Sequence, residues 1–172
     1  MDQHGSTNDG VPSEIDATAE DIAAALGRAL AVRSATIAVA ESLTGGLLVE
    51  ALARTEGSGE WLTGGVVAYA TSAKRRVLGV SAAKVVSRRA AEEMATGVRA
   101  ALGADVAVAV TGVGGPDEQD GEPAGTVWIG VDDGTVTSAT ELDATGSPSE
   151  ICSAAVTEAL RVARRAVERV SA

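Results

Sequence analysis

Apolar and polar positions along this chain alternate between two periods. From Thr18 onward, Ile22, Leu26 and Leu30 recur every fourth residue, which predicts a helix to about Arg33 with Thr18 as its N-cap. Residues 35–40 form a short run of small and β-branched residues and read as a strand. A helix follows Ser42, carrying Leu47, Leu48 and Leu52 and stopping before Gly57. Val66-Val67-Ala68-Tyr69-Ala70 reads as a second strand, entered through Gly64-Gly65, and Thr71 to Leu78 as a short helix closed by Gly79. Ser87 caps a helix that runs through Leu102 to a terminating Gly103. Val106 to Val110 is a continuous small apolar run, the pattern of a strand covered on both faces. A loop over 111–124 leads to two strands, Thr126 to Val131 and Thr135 to Leu142, joined as a hairpin around Asp132-Asp133-Gly134. Ser147-Pro148-Ser149-Glu150 combines an N-cap, a proline at the first helical position and a capping-box glutamate, opening a last helix to about Val170. Helices alternating with strands predict an α/β fold, a three-layer α/β/α domain with a mixed β-sheet.

Composition narrows this picture. Residues 1–17 are rich in Gly, Ser, Asp, Asn and Pro with little to bury, so they are expected to form a disordered acidic tail, with residues 18–172 a single domain. Apolar residues make up 45% of the chain but aromatics only 2%, with no Phe, so the core is built from Ala, Val, Leu and Ile. The formal net charge is −10; six acidic residues and no Lys or Arg lie within 1–21, leaving −4 for the remainder. No basic stretch is interleaved with aromatics, which argues against nucleic acid as a partner. No apolar run approaches the ~20 residues of a membrane span, and no secretory signal pattern opens the chain. The single cysteine, Cys152, excludes an internal disulfide framework and a Cys-rich metal site, and a cytoplasmic protein is the expectation. The Ala/Val-rich helices could pack against a second copy in a homo-oligomer.

Three segments carry candidate chemistry. The first is Glu41-Ser42-Leu43-Thr44-Gly45-Gly46, between a strand and a helix. Free N–H groups at a helix start favour anions and oxyanions, although such a cluster on its own reads first as a cap and tight turn. The second is Tyr69-Ala70-Thr71-Ser72-Ala73-Lys74, with the only tyrosine and one of two lysines. By itself it is an edge tyrosine beside a solvated basic helix face. A lysine acts as a base only when burial or neighbouring cations disfavour its charged form, and Arg75 and Arg76 are available as such neighbours. The third is Thr111-Gly112-Val113-Gly114-Gly115-Pro116-Asp117, leaving the buried strand where α/β sheets bind ligands. A Ser-His-Asp triad would require the only histidine, His4, to fold back from the tail. The acidic run from Asp117 to Glu122 reads as a solvated loop tip rather than a cation site.

The order and spacing of these segments, together with Gly64-Gly65-Val66-Val67 and Gly125-Thr126-Val127-Trp128, resemble the CinA C-terminal domain family over roughly residues 18–170. Active members of that family are nicotinamide-nucleotide amidohydrolases, which convert nicotinamide mononucleotide to nicotinate mononucleotide and ammonia. The resemblance implies Ser42, Tyr69 and Lys74 as catalytic residues, a small-molecule nucleotide as substrate, and no metal or organic cofactor. It places Glu41, Thr44, Gly45, Gly46, Thr111, Gly112, Gly114 and Gly115 at the substrate, with the N–H groups around Thr44-Gly45-Gly46 as oxyanion donors. Three departures accompany it. Leu43 stands where the family has Cys, Glu122-Pro123-Ala124-Gly125 stands for Lys-Pro-Val-Gly, and the two arginines expected near the last helix are Pro148 and Cys152. The second arginine is the family's expected phosphate contact, and its loss weakens binding or changes the ligand. An alternative reading is therefore a nucleotide-binding or interaction module of the same fold with weakened turnover.

Overall fold

The computed structural model describes residues 17–169, so the expectation for the N-terminal tail falls, but for Ala17, outside the described residues. The elements in chain order are α1 (Ala19–Arg33), β1 (Ile37–Glu41), α2 (Leu47–Ala53), α3 (Ser58–Trp61), β2 (Leu62–Val67), α4 (Thr71–Leu78), α5 (Arg88–Leu102), β3 (Val106–Gly112), β4 (Thr126–Asp132), β5 (Thr137–Asp143) and α6 (Pro148–Arg169). The strands form one sheet in the order β2-β1-β3-β4-β5. Strand β1 is parallel to both β2 and β3, whereas β3, β4 and β5 are successively antiparallel. This is the mixed sheet of a three-layer α/β/α domain. No helix among the described residues is long and apolar enough to cross a membrane.

Side-chain size along the inner strands sets how the layers pack. Successive residues of a strand point to opposite faces, and in β1 and β3 the large residues fall on one face and the alanines on the other. Ile37, Val39, Val106, Val108 and Val110 join Leu26, Leu30, Leu48 and Leu160 in a core under α1, α2 and α6. Ala38, Ala40, Ala107 and Ala109 face Met94, Ala95 and Val98 of α5 and Leu78 of α4. The alanine face admits α5 at close range. At Gly130 of β4 an added methyl would collide with the Ala91 carbonyl of α5.

Predicted helix ends coincide with observed caps. Thr18 and Asp21 form a reciprocal capping box, the Ser87 hydroxyl accepts from the Ala90 N–H, and Gly79 and Gly103 close α4 and α5 with left-handed φ of 70° and 65°. One strand is displaced from its predicted place. Strand β2 spans Leu62–Val67 and includes Gly64-Gly65, which the sequence pattern treats as an entry turn. The reason is steric: a methyl on Gly65 would press within 2.8 Å of Val39 and 3.0 Å of Val49, so the strand is glycine where α2 and β1 crowd it. Tyr69 consequently lies beyond the strand end rather than within it.

Candidate active site

The parallel strands β2, β1 and β3 bring their carboxyl ends to one edge of the sheet. The strand order reverses there, since β1 connects outward to β2 and the chain returns to β3 on its other side. Open α/β sheets bind ligands at such switch points. Ser42 follows β1 directly, and its N–H donates to the Val110 carbonyl of β3 at 3.0 Å. Gly112 ends β3. The Glu41 carbonyl accepts from the Ala68 N–H at 2.8 Å, which ties the segment leading to Tyr69 to the same edge.

Around Ser42 the hydrogen bonds reassign several expected roles. Glu41 is fully buried, and its carboxylate accepts the N–H groups of Gly46, Leu48 and Val49 at 2.8–3.0 Å. It caps α2 from the end of β1, and Glu41 does not line the cleft described below. Gly45 N–H donates to the Ser42 carbonyl and Gly46 N–H to Glu41, so neither glycine offers a free donor for an oxyanion. The N–H groups of Leu43 and Thr44 make no hydrogen bond among the described residues. The Thr44 hydroxyl is buried without a partner. Ser42 is only 7% exposed, yet its hydroxyl makes no hydrogen bond among the described residues.

Lys74 sits on the buried face of α4, four residues before the buried Leu78, and is 1% exposed. Its ammonium donates to the Tyr69 backbone carbonyl at 3.0 Å, not to the phenol. Burial pushes the Lys74 pKa below the ordinary lysine range, and the Asp120 carboxylate partly opposes that shift. Arg75 and Arg76 are exposed, so the expected effect of neighbouring cations is replaced by desolvation. Tyr69 is 71% exposed.

On the β3 side Thr111 is 1% exposed, and its hydroxyl donates to the Val85 carbonyl at 2.7 Å. It holds the turn before α5, and its hydroxyl hydrogen is committed to that carbonyl. Asp120 takes the N–H groups of Val85 and Val86 at 2.7 and 3.1 Å. The acidic run is thus anchored at Asp120 and is not merely a solvated tip. Ser42, Leu43, Tyr69, Gly112, Val113, Gly114, Gly115, Asp117, Glu118 and Gln119 line a cleft of about 270 Å³. Of the expected site residues, this brings together Ser42, Tyr69, Gly112, Gly114 and Gly115. Lys74, Glu41, Thr44, Gly45, Gly46 and Thr111 lie outside its lining. Asp117 closes the third candidate segment, and with Glu118 and Gln119, which the sequence pattern assigns to a solvated loop tip, it lines this cleft directly after the glycine loop.

Cys152, on the first turns of α6, donates its thiol to the Leu43 carbonyl at 3.3 Å, and burial raises its pKa so that it stays neutral. A larger groove of about 520 Å³ lies between α1, α2 and α6. Its hydroxyls on Thr55, Ser153 and Thr157 all donate to helix carbonyls, so it presents no unengaged nucleophile.

Comparison with known proteins matches this arrangement to one family. The model of the CinA C-terminal domain matches residues 19–167. The chain belongs to the CinA C-terminal domain family. A CinA-like protein of Frankia casuarinae is 46% identical over 143 residues, covering 79% of this chain and 33% of the relative. A protein of Enterobacter agglomerans named nicotinamide-nucleotide amidohydrolase PncC is 42% identical over 116 residues, 64% of this chain and 71% of the relative. The crystal structure of a CinA superfamily protein from Klebsiella pneumoniae 700603 superposes with a TM-score of 0.84 at 32% identity, covering 89% of this chain and 99% of that one. The chain spans about a third of the length of the first curated CinA-like relatives it matches.

Proposed function

We propose that this CinA domain is an amidohydrolase that converts nicotinamide mononucleotide to nicotinate mononucleotide and ammonia. The carrying observation is the nine-tenths buried Ser42 with its unbonded hydroxyl on the cleft wall beside Tyr69, whose own backbone carbonyl holds a buried amine of lowered pKa, Lys74. A serine nucleophile needs a base, and an amine that is neutral part of the time can serve where no histidine is at hand. The similarity to a relative named PncC supports the choice of reaction.

In the proposed sequence the Ser42 hydroxyl oxygen attacks the carboxamide carbon while its proton passes to the Lys74 amine, directly or through the Tyr69 phenol. The N–H groups of Leu43 and Thr44, which make no hydrogen bond among the described residues, take the oxyanion in place of those of Gly45 and Gly46. Collapse breaks the C–N bond, and the leaving nitrogen takes the proton from Lys74 and departs as ammonia. Water then cleaves the acyl–Ser42 ester with Lys74 again as base. Ser42→Ala abolishes ammonia release in a coupled assay; turnover at the wild-type rate in that variant would exclude this mechanism. A second reading, a binding module with weakened turnover, is favoured by the neutral Cys152 thiol beside Leu43 where the family resemblance expects an arginine. Ligand-induced stabilisation of the wild-type protein without ammonia release would select it.

A further inference from the structure

We infer that Asp120 is a positioning residue of this site: its carboxylate fastens the cleft wall to the segment that follows Lys74, and it supplies the counter-charge when Lys74 takes the Ser42 proton. The proton transfer belongs to the proposed hydrolytic mechanism, whereas the tie between Asp120 and the Lys74 segment does not depend on it.

Asp120 and Gly121 form the tip of a tight turn, with φ of 56° and 80°, closed by hydrogen bonds between Gln119 and Glu122 at 3.0 and 2.9 Å. An Asp-Gly pair suits such a tip, but the Asp120 carboxylate is not spent on the turn. One of its oxygens, Oδ2, accepts the N–H groups of both Val85 and Val86. Val85 is held from a second side, because its carbonyl accepts the Thr111 hydroxyl. The connection from α4 to α5 starts on Lys74 itself, whose backbone carbonyl accepts the N–H groups of Gly79 and Val80. Asp120 thus ties the cleft residues Asp117, Glu118 and Gln119 to the short connection that leaves the helix of Lys74.

A proton arriving on the Lys74 amine creates a charge at a side chain only 1% exposed. The Tyr69 carbonyl accepts one N–H of that ammonium, which forms no ion pair among the described residues. Among those residues Asp120 is the charged group whose field favours the ammonium. Other charges on the elements around Lys74 are engaged elsewhere. On α5, Glu93 binds Arg89 and the N–H groups of Ser81 and Ala82, Glu92 pairs with Arg88, and Arg99 pairs with Asp132. Lys84 pairs with Glu122, Glu41 of β1 caps α2, and Arg75 and Arg76 are exposed.

The test is a pH titration, by nuclear magnetic resonance, of the ligand-free protein carrying lysine labelled at its ε-carbon. The chain contains two lysines, so Lys84→Arg assigns both signals. Asp120→Asn removes the charge but keeps an oxygen for Val85 and Val86, and an Asn-Gly pair serves the turn equally well. In that variant Lys74 titrates at lower pH than in wild type, whereas Glu122→Gln, which removes a charge from the same loop, leaves it in place. Ammonia release from nicotinamide mononucleotide follows: in Asp120→Asn the rising limb of kcat/KM moves to lower pH, and plateau kcat falls at least about tenfold at unchanged KM, because Lys74 is then a weaker base. An unmoved Lys74 midpoint in Asp120→Asn, an equal movement in Glu122→Gln, or a lowered midpoint with the kcat plateau unchanged overturns the inference. A lowered midpoint with no ammonia release by the wild-type protein upholds the coupling of Asp120 to Lys74 and overturns the hydrolytic reading instead.

Discussion

Lys74 is a charged side chain placed where charge is costly. Burial is the dominant cause of its lowered pKa, with Asp120 pulling the other way. A buried amine with a depressed pKa makes the folded state bind fewer protons than the unfolded state between the two pKa values. Stability therefore rises with pH from the folded value up toward 10.5 and is flat with respect to this group below that window. Thermal midpoints of wild type, measured against Lys74→Met over that range, should rise relative to the variant in the same direction. Catalysis should follow the same titration. The pH profile of kcat/KM climbs on a limb below the ordinary lysine range, and Lys74→Arg, which cannot release a proton, loses about 10²- to 10⁴-fold in turnover. The residue types at Ser42, Tyr69 and Lys74 were legible as candidates in the sequence. The burial of Lys74 was not, although its four-residue spacing from Leu78 put it on the helix face that packs inward.

At the scale of elements, Glu41 shows how a functional-looking motif divides its labour. Helix α2 has only seven residues, and its N-cap, Gly46, has no side chain to cap it. Its free N–H groups are taken instead by a carboxylate at the end of the preceding strand. Glu41→Gln removes the charge while keeping the shape, and is expected to cost about 1.5–3 kcal/mol of stability, read as a lower midpoint in urea. The loop that presents Ser42 depends on the same bonds, so turnover falls with stability in that variant; loss of activity at wild-type stability would instead mark Glu41 as a ligand contact. Helix boundaries set by local caps, such as Thr18, Ser87 and Ser147, were readable because a cap and its partner lie within three residues of each other. The Glu41 cap reaches up to eight residues along the chain, and β2 was misplaced because its glycines answer to neighbours in β1 and α2 rather than to a turn.

For the whole molecule, the alternation of valine and alanine in β1 and β3 builds two unequal gaps across one sheet. The valine side holds α1, α2 and α6, and the alanine side holds α4 and α5, with α5 packed against β4. Gly130→Ala tests that spacing. The new methyl meets the Ala91 backbone carbonyl, which cannot rotate away, so overpacking is expected to destabilise by about 1–3 kcal/mol. Because both cores share the same central strands, wild type should unfold in one step. Far-UV circular dichroism and the fluorescence of Trp61 and Trp128 should then give coincident transitions, and separate midpoints would show the two faces to be independent.

The sequence by itself determined the helices other than the single turn α3, the buried β3 strand, the α/β class and the family motifs, because caps and periodic burial are encoded in residues close together along the chain. Only the tertiary structure decided what each motif residue does. Whether a glycine N–H, a threonine hydroxyl or a carboxylate faces the cleft depends on which distant group has already taken its hydrogen bond. Thr111 is occupied by Val85, Asp120 by Val85 and Val86, and the N–H of Gly46 by Glu41. Once those bonds are made, Ser42 and Tyr69 share a cleft with the carboxylates of Asp117 and Glu118.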